Sequence, residues 1–522
     1  MSEIKKISKN IIFNIFMIFF LFGIFINNYF NDYISSLYLF LFFIIFSLNI
    51  IIYSNKIIKF LIYLLFMILW FSLGLFTSNN NLDNVDKKIE SLKIYDNFFY
   101  NEVTFEIKDT YKIKEFNNEY VAKLLKINNT NFNIKNKKIW LYDHEILWLV
   151  TIAKNYKIKK WDIVQSKARI SIIKDFNEFE YKNFLLSKWI YIKTYLPFIN
   201  NIGQNKPNFI IDNIDILRAE SLKIIYKIYP KNEAIFLAWI LLWARESLPE
   251  ELKNNFNKSW LTHFIAVSGF NITILILFFS FLFKWLPIFI RTIFITLIII
   301  LFTFLVWDTA PVIRASIMWL IAYYVMVSWR QWSIFTILLL TGFIMSIMSP
   351  FILNYDVSFA LSFLAVFWIV YTQKFWSKIF VFMPETLAIK EAFVLTMSAL
   401  VFTLPIMLFN FGQVSILAPF ANVAITWTIP IAMLLGFISI LLYPFLPFLA
   451  YIIWYIDWVF LKWDIMVVNF FWTKEYSIFQ YDFWLYKNYI EVIYFIILIF
   501  IILYIKSKPE NYISLDFNKR IK

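Results

Sequence analysis

The chain has 522 residues, of which 61% are hydrophobic and 22% aromatic, with a mean hydropathy of +0.67 and a formal net charge of +14. Soluble domains are about 45–50% apolar, so this composition excludes an ordinary soluble globule and points to an integral membrane protein. The absence of cysteine excludes disulfides and thiolate metal sites.

Apolar runs at 11–30, 34–53 and 57–77 each approach the length of about 20 residues that a helix needs to cross the hydrocarbon core. The first run lacks the small-residue cleavage site of a signal peptide. Lys5, Lys6 and Lys9 precede it, and Lys56 and Lys59 separate the second and third runs, whereas Asp32 is the only charge in the loop 27–33. The positive-inside rule then predicts a cytoplasmic amino terminus and places the segment after the third span outside.

Residues 80–232 change character, with 26 Lys or Arg against 18 Asp or Glu, a net of +8. Alternating stretches such as NEVTFEIK, EYVAKLLKI, KKIWLYD and WDIVQSKARISII predict short strands separated by Asn-rich turns. The expectation is a small, basic, all-β extracytoplasmic barrel or sandwich.

From 233 onward the apolar runs return. Spans are predicted at 262–283, 286–306, 312–328, 333–349, 356–372, 391–409, 418–442, 445–467 and 489–505. With the first three these make about twelve crossings, with both termini cytoplasmic. The segment AIFLAWILLWARESLPEEL is too short and too charged at its end to cross, which predicts an interfacial or re-entrant helix. The fold expected is thus a polytopic α-helical membrane protein with an inserted β domain. Its parts are N-terminal helices at 1–79, the β domain at 80–232, a transmembrane core at 233–467, and a final helix with a basic tail at 468–522.

Five blocks, in order, carry a resemblance: ARESLPEEL, LTHFIAVSGFNI, APVIRASIMWL, NYDVSFALSFLAV, and LPIMLFNFG with APFANVAITWTIP. They resemble the signature blocks of the ComEC family of competence membrane proteins, over about 230–440. The preceding domain looks like that family's oligonucleotide-binding-like (OB) module, with WDIV near its last strand. The resemblance implies an inner-membrane channel for single-stranded DNA in natural transformation. The partners it implies are a surface DNA receptor and a cytoplasmic ATPase, with the bilayer around it; self-association into a homo-oligomer is left open. It also implies a short form of the family, without the C-terminal β-lactamase-like domain.

The inventory argues against an enzyme. Only His144 and His263 are present, too few for a histidine-rich metal centre, and no acid near His263 and Ser268 orients a hydrolytic pair. No GxxxxGK[ST] loop occurs, so energy must come from a partner. No cofactor and no metal are expected.

Seven glycines stand beside 21 tryptophans. Where the family pattern has glycine, this chain has Trp161, Trp189, Trp243, Trp260, Trp307, Trp329 and Trp368. The reading is that many of these codons are UGA, meant as glycine under a reassigned code. An aromatic belt at the interfaces would account for some tryptophans, but not for Trp161 and Trp189 in the soluble domain.

Candidate residues for a polar route follow from charge and polarity inside apolar runs. His263, Ser268 and Asn271 form one stripe of their helix, facing either a hydrated path or simply the interface. Thr262, Gly269 and Thr273 form a second, small stripe suited to helix packing. The family has histidine where Asn271 stands, which removes any role that requires a second imidazole. Arg314, one turn into a helix started by Pro311, reads as a phosphate contact or as a structural pair with Asp308. Arg245, beside Glu246, divides the same way. Asp356 is a helix cap or a path residue, with Ser358 and Ser362 on the following helix. Asn422, between Pro419 and Pro430, lies in a span expected to be broken, as is the one holding Pro405. The rival to DNA transport is a permease or flippase for another anionic solute or lipid.

Overall fold

The computed structural model describes residues 13–25, 67–78, 101–131, 147–172, 185–205, 209–244, 269–306, 310–328, 332–383 and 389–480 apart from short breaks within them, together with residues 90, 255, 256 and 261. The expected spans 34–53 and 489–505 lie outside the described residues. The chain forms two compact units, Met1–Pro249 with Phe264–Ala360 and Pro430–Leu461, and Glu250–His263 with Leu361–Ile429 and Lys462–Lys522.

In the first unit, two helices, α1 (Phe13–Phe25) and α2 (Met67–Ser78), precede the sheet. They touch backbone to backbone. A Cβ on Gly23 would lie 2.5 Å from Phe71 O, and one on Gly74 would lie 2.3 Å from Phe20 O. Only glycine permits that approach. Gly74→Ala is expected to force the helices apart and to lower the Tm of the purified protein by roughly 2–4 °C; an unchanged Tm would show that the approach is not needed.

The sheet contains β1 (Asn101–Ile113), β2 (Asn117–Ile127), β3 (Thr130–Asn131), β4 (Leu147–Ala153), β5 (Asp162–Ala168), β6 (Ile170–Ile172), β7 (Ile190–Leu196) and β8 (Asn200–Gln204). Its order is β6-β7-β4-β2-β1-β5-β8, with β3 paired to β2. Every neighbouring pair is antiparallel except β4 with β7, so the sheet is mixed. The alternation seen in sequence is the alternation of burial: in β5, Asp162, Val164, Ser166 and Ala168 point inward. Phe105, Leu124, Trp148, Val150 and Ile192 build the core, with the Phe105 and Trp148 rings 5.0 Å apart. The expected β segment 80–232 ends differently, because after β8 the chain turns into helix α3 (Phe209–Ile228).

Trp161, just before β5, has φ of 71°. Its N–H donates to Ile107 O at 2.8 Å and its carbonyl accepts from Asn205 N at 2.9 Å, so the turn is pinned from both sides. A bulky residue rarely takes this left-handed conformation, and glycine takes it freely.

Helix α4 (Lys231–Leu242) corresponds to the segment expected to be interfacial or re-entrant. Residues Ala234 to Leu242 are all buried, so α4 is an interior helix of the first unit. A helix apolar on every side has no face to offer to water.

The remaining helices are α5 (Gly269–Leu282), α6 (Ile288–Leu305), α7 (Ala310–Val327), α8 (Ile334–Met348), α9 (Val357–Ile379), α10 (Ile389–Phe411), α11 (Ala418–Thr426), α12 (Thr428–Leu442) and α13 (Pro447–Trp472). Their bounds follow the predicted spans closely from 286 to 411. By length and composition, α6 and α9 are apolar enough to cross a membrane, and α11 with α12 forms a third candidate if the bent pair is one span. Helices α1, α2, α5, α7 and α8 are shorter and apolar. On α6, Phe289, Ile293 and Leu297 are spaced four apart and exposed, as a lipid-facing stripe requires. The predicted single span 418–442 is interrupted at Trp427, where the two halves bend by 40°. Pro405 lies within the continuous helix α10 rather than at a break.

Candidate functional site

Arg314 lies on α7 and is 2% exposed. Its Nη2 donates to Ser358 Oγ at 3.0 Å, and its Nη1 lies 3.8 Å from Asp356 Oδ2. The guanidinium carbon stands 5.9 Å from the centre of the Phe359 ring. Nε and Nη1 make no hydrogen bond among the described residues. Arg314 is therefore a buried cation with donors to spare, a condition that costs free energy unless an anionic oxygen accepts from them.

Asp356 also performs the capping role read from sequence. Its Oδ1 accepts from Ser358 N at 2.9 Å and so closes the first turn of α9. The preceding residues form a helical turn, Ile352–Tyr355, which anchors this corner. Phe351 is buried in the core of the β sheet, and Tyr355 packs against that core. The basic sheet and the Arg314 pair are thus joined by five residues of chain. Ser358 is at the pair, and Ser362 is half-buried one turn later on α9.

Asn271 is 1% exposed and donates to Ile240 O at 3.2 Å, near the end of α4. Arg218 Nη2 reaches Leu242 O at 3.1 Å in the same last turn. These contacts supply donors to carbonyls that a helix end leaves without partners. Gly269 faces α7 as the small stripe requires: a Cβ there would lie 3.6 Å from the Ala315 Cβ, and Trp319 Nε1 donates to Gly269 O at 3.2 Å. His263, Ser268 and Arg245 lie outside the described residues, as do Asp308, Trp189, Trp243, Trp260, Trp307 and Trp329.

In the second unit, Asn422 on α11 is 5% exposed and donates to Thr396 Oγ1 of α10 at 3.2 Å. Trp368 on α9 stacks on Phe402 of α10, with centroids 3.9 Å apart and planes 7° from parallel. Two buried carboxylates were not among the residues singled out in the sequence. Asp457, in the first unit, accepts from the Tyr229 hydroxyl at 2.7 Å, and Asp464, in the second, bonds with Thr428. Both lie on α13, and both are fully buried. The signal was present, since two acids seven residues apart inside the apolar run 445–467 are costly unless they serve a purpose.

The sequence profile of the competence protein family matches residues 240–509, more than half of the chain. The chain belongs to the competence protein family. Membership implies a role in DNA uptake during natural transformation, and together with the apolar helices it places the protein in a membrane. Neither a curated protein nor a solved structure matches. Arg314, Asp356, Asn422 and Asp464 all fall within the matched region of this competence protein.

Proposed function

We propose that this protein is the membrane channel through which single-stranded DNA enters the cytoplasm. The observation that carries the reading is Arg314: a buried guanidinium with donors unused among the described residues, tied by a short turn to the β sheet, in a member of the competence family. Guanidinium keeps its charge and forks onto phosphate, so it suits a polyanion that must leave water. Residues 80–232, with a net charge of +8 and the β sheet within them, lie outside the cell membrane in this reading and serve as an OB-like module that gathers and guides the strand. About twelve spans surround the route, and both termini are cytoplasmic. The chain performs no catalysis and takes no cofactor. A surface receptor delivers DNA and a cytoplasmic ATPase pulls it.

The test is uptake of labelled DNA by cells lacking the gene. DNA is expected to stay outside the cytoplasm, and undiminished entry would refute the assignment. Purified full-length protein in nanodiscs is expected to bind single-stranded DNA with an affinity that falls steeply with salt. No binding at low salt would favour transport of another anionic solute or lipid.

A further inference from the structure

Within the second unit, the break between α11 and α12 creates a site with more oxygens than hydrogens. Helix α11 ends at Thr426, and Thr428 opens α12. The Thr428 side chain is fully buried, and its Oγ1 lies 2.9 Å from Ile425 O while also bonding with Asp464 Oδ1. Asp464 Oδ2 is buried and receives no hydrogen bond among the described residues. The single hydroxyl hydrogen of Thr428 is therefore divided between the Ile425 carbonyl, which also accepts from Trp427 N–H, and Asp464 Oδ1, and none reaches Oδ2.

The electrostatics run the same way. Burial disfavours a bare carboxylate here, and the break presents both the negative C-terminal end of α11 and the positive N-terminal end of α12, which Thr428 opens, so the helix dipoles do not offset that cost in one direction. Helices α11 and α12 contain no ionisable side chain. On α13 itself, Lys462 points to an exposed face, and Asp457 is engaged with Tyr229. On α10, the ionisable residues Lys390 and Glu391 belong to the first turn, whereas α10 reaches α11 through Thr396 and Asn422. No protein cation thus compensates Asp464 among the described residues.

We propose that Asp464, Thr428 and the Ile425 carbonyl at the end of α11 form a binding site for a small monovalent cation, a proton or a sodium ion. Hard oxygen ligands, one carboxylate and a helix broken within the apolar region are the elements with which membrane transporters hold such ions. A single carboxylate is too little charge for calcium, which gathers several. The site rests on the second unit alone and does not depend on DNA being the cargo. It gives the second unit a place where an ion gradient can act.

The experiment uses purified full-length protein in nanodiscs. Its Tm is measured in sodium chloride and in choline chloride at equal ionic strength, and across mildly acidic to mildly alkaline pH. A sodium site raises Tm in sodium relative to choline by several degrees, because the ion binds the folded state alone. A proton site instead makes Tm fall as pH rises, with sodium having no effect, because the folded state then holds a proton that the unfolded chain releases. Asp464→Asn supplies amide hydrogens in nearly the same shape and is expected to abolish the response to either ion without loss of folding. Thr428→Val keeps the carboxylate and is expected to shift the midpoint of the response by about tenfold in ion concentration. A wild-type Tm indifferent to both ions, or an Asp464→Asn variant that responds as wild type does, would overturn the proposal.

Discussion

Replacing Arg314 by alanine is expected to destabilise the protein by about 3–5 kcal/mol and to block DNA uptake. The stability loss arises because Asp356, 3.8 Å from Arg314 and only 11% exposed at its side chain, would be left as an unpaired acid. Removing both members separates structure from transport. Arg314→Ala with Asp356→Ala is expected to recover most of the lost stability, since neither charge is then stranded, while uptake stays low. Arg314→Lys keeps the charge and gives up the fork, so uptake is expected to fall about tenfold with the protein still present in the membrane. The measurements are thermal unfolding of each purified variant and labelled DNA entry into deletion cells carrying it. Full uptake by the double variant would make Arg314 a structural ion pair and remove it from the DNA route.

Trp161→Gly is expected to stabilise the protein. The φ of 71° costs a bulky residue about 1–3 kcal/mol, and glycine relieves it. The substitution also removes a contact, because Trp161 Nε1 donates to Asp215 Oδ2 at 3.3 Å and the ring lies 4.5 Å from Lys108 Nζ. That contact is part-exposed and worth about 0.5–1 kcal/mol, so a net gain of about 1 kcal/mol remains. The Lys160–Asp215 ion pair at 3.0 Å is direct and is expected to persist, although the indole touches both partners, with Lys160 Nζ 5.6 Å from the ring centre. Thermal unfolding of the variant checks the sign. Reading the codon checks the cause: UGA at position 161 together with a glycine mass in the native protein would explain why a left-handed turn holds a tryptophan, and UGG would refute that cause.

Much of the architecture was legible because the constraints that impose it are written in local sequence. Apolar length is a local property, and helices α6 to α10 begin and end within several residues of the predicted apolar runs, of which α6 and α9 are long and apolar enough to cross a membrane. A two-sided sheet demands alternation, which is why β1, β2, β5 and β6 could be read from their stretches, while KKIWLYD lies outside the described residues and the parallel pairing of β4 with β7 could not be read. Segment 234–252 was read as interfacial or re-entrant from its length and charged end; the burial of Ala234 to Leu242 on all sides was not legible, because it depends on what packs around the helix.

The composition and the signature blocks by themselves determined that this is a membrane protein of the competence family, with a basic β domain set among apolar helices, and they singled out Arg314, Asp356 and Asn422 as polar groups in costly places. What those groups do was decided only by tertiary structure. Sequence proximity offered Asp308, which lies outside the described residues, as a partner of Arg314; the fold brings up Asp356 and Ser358, more than forty residues away. Asn271 turned inward to Ile240 O, and Asp464 came to rest against Thr428 at a helix break. Charge and length are local properties of a chain; partners and solvent exposure are set by distant segments that meet only on folding, and the chemistry of a buried polar group depends on those.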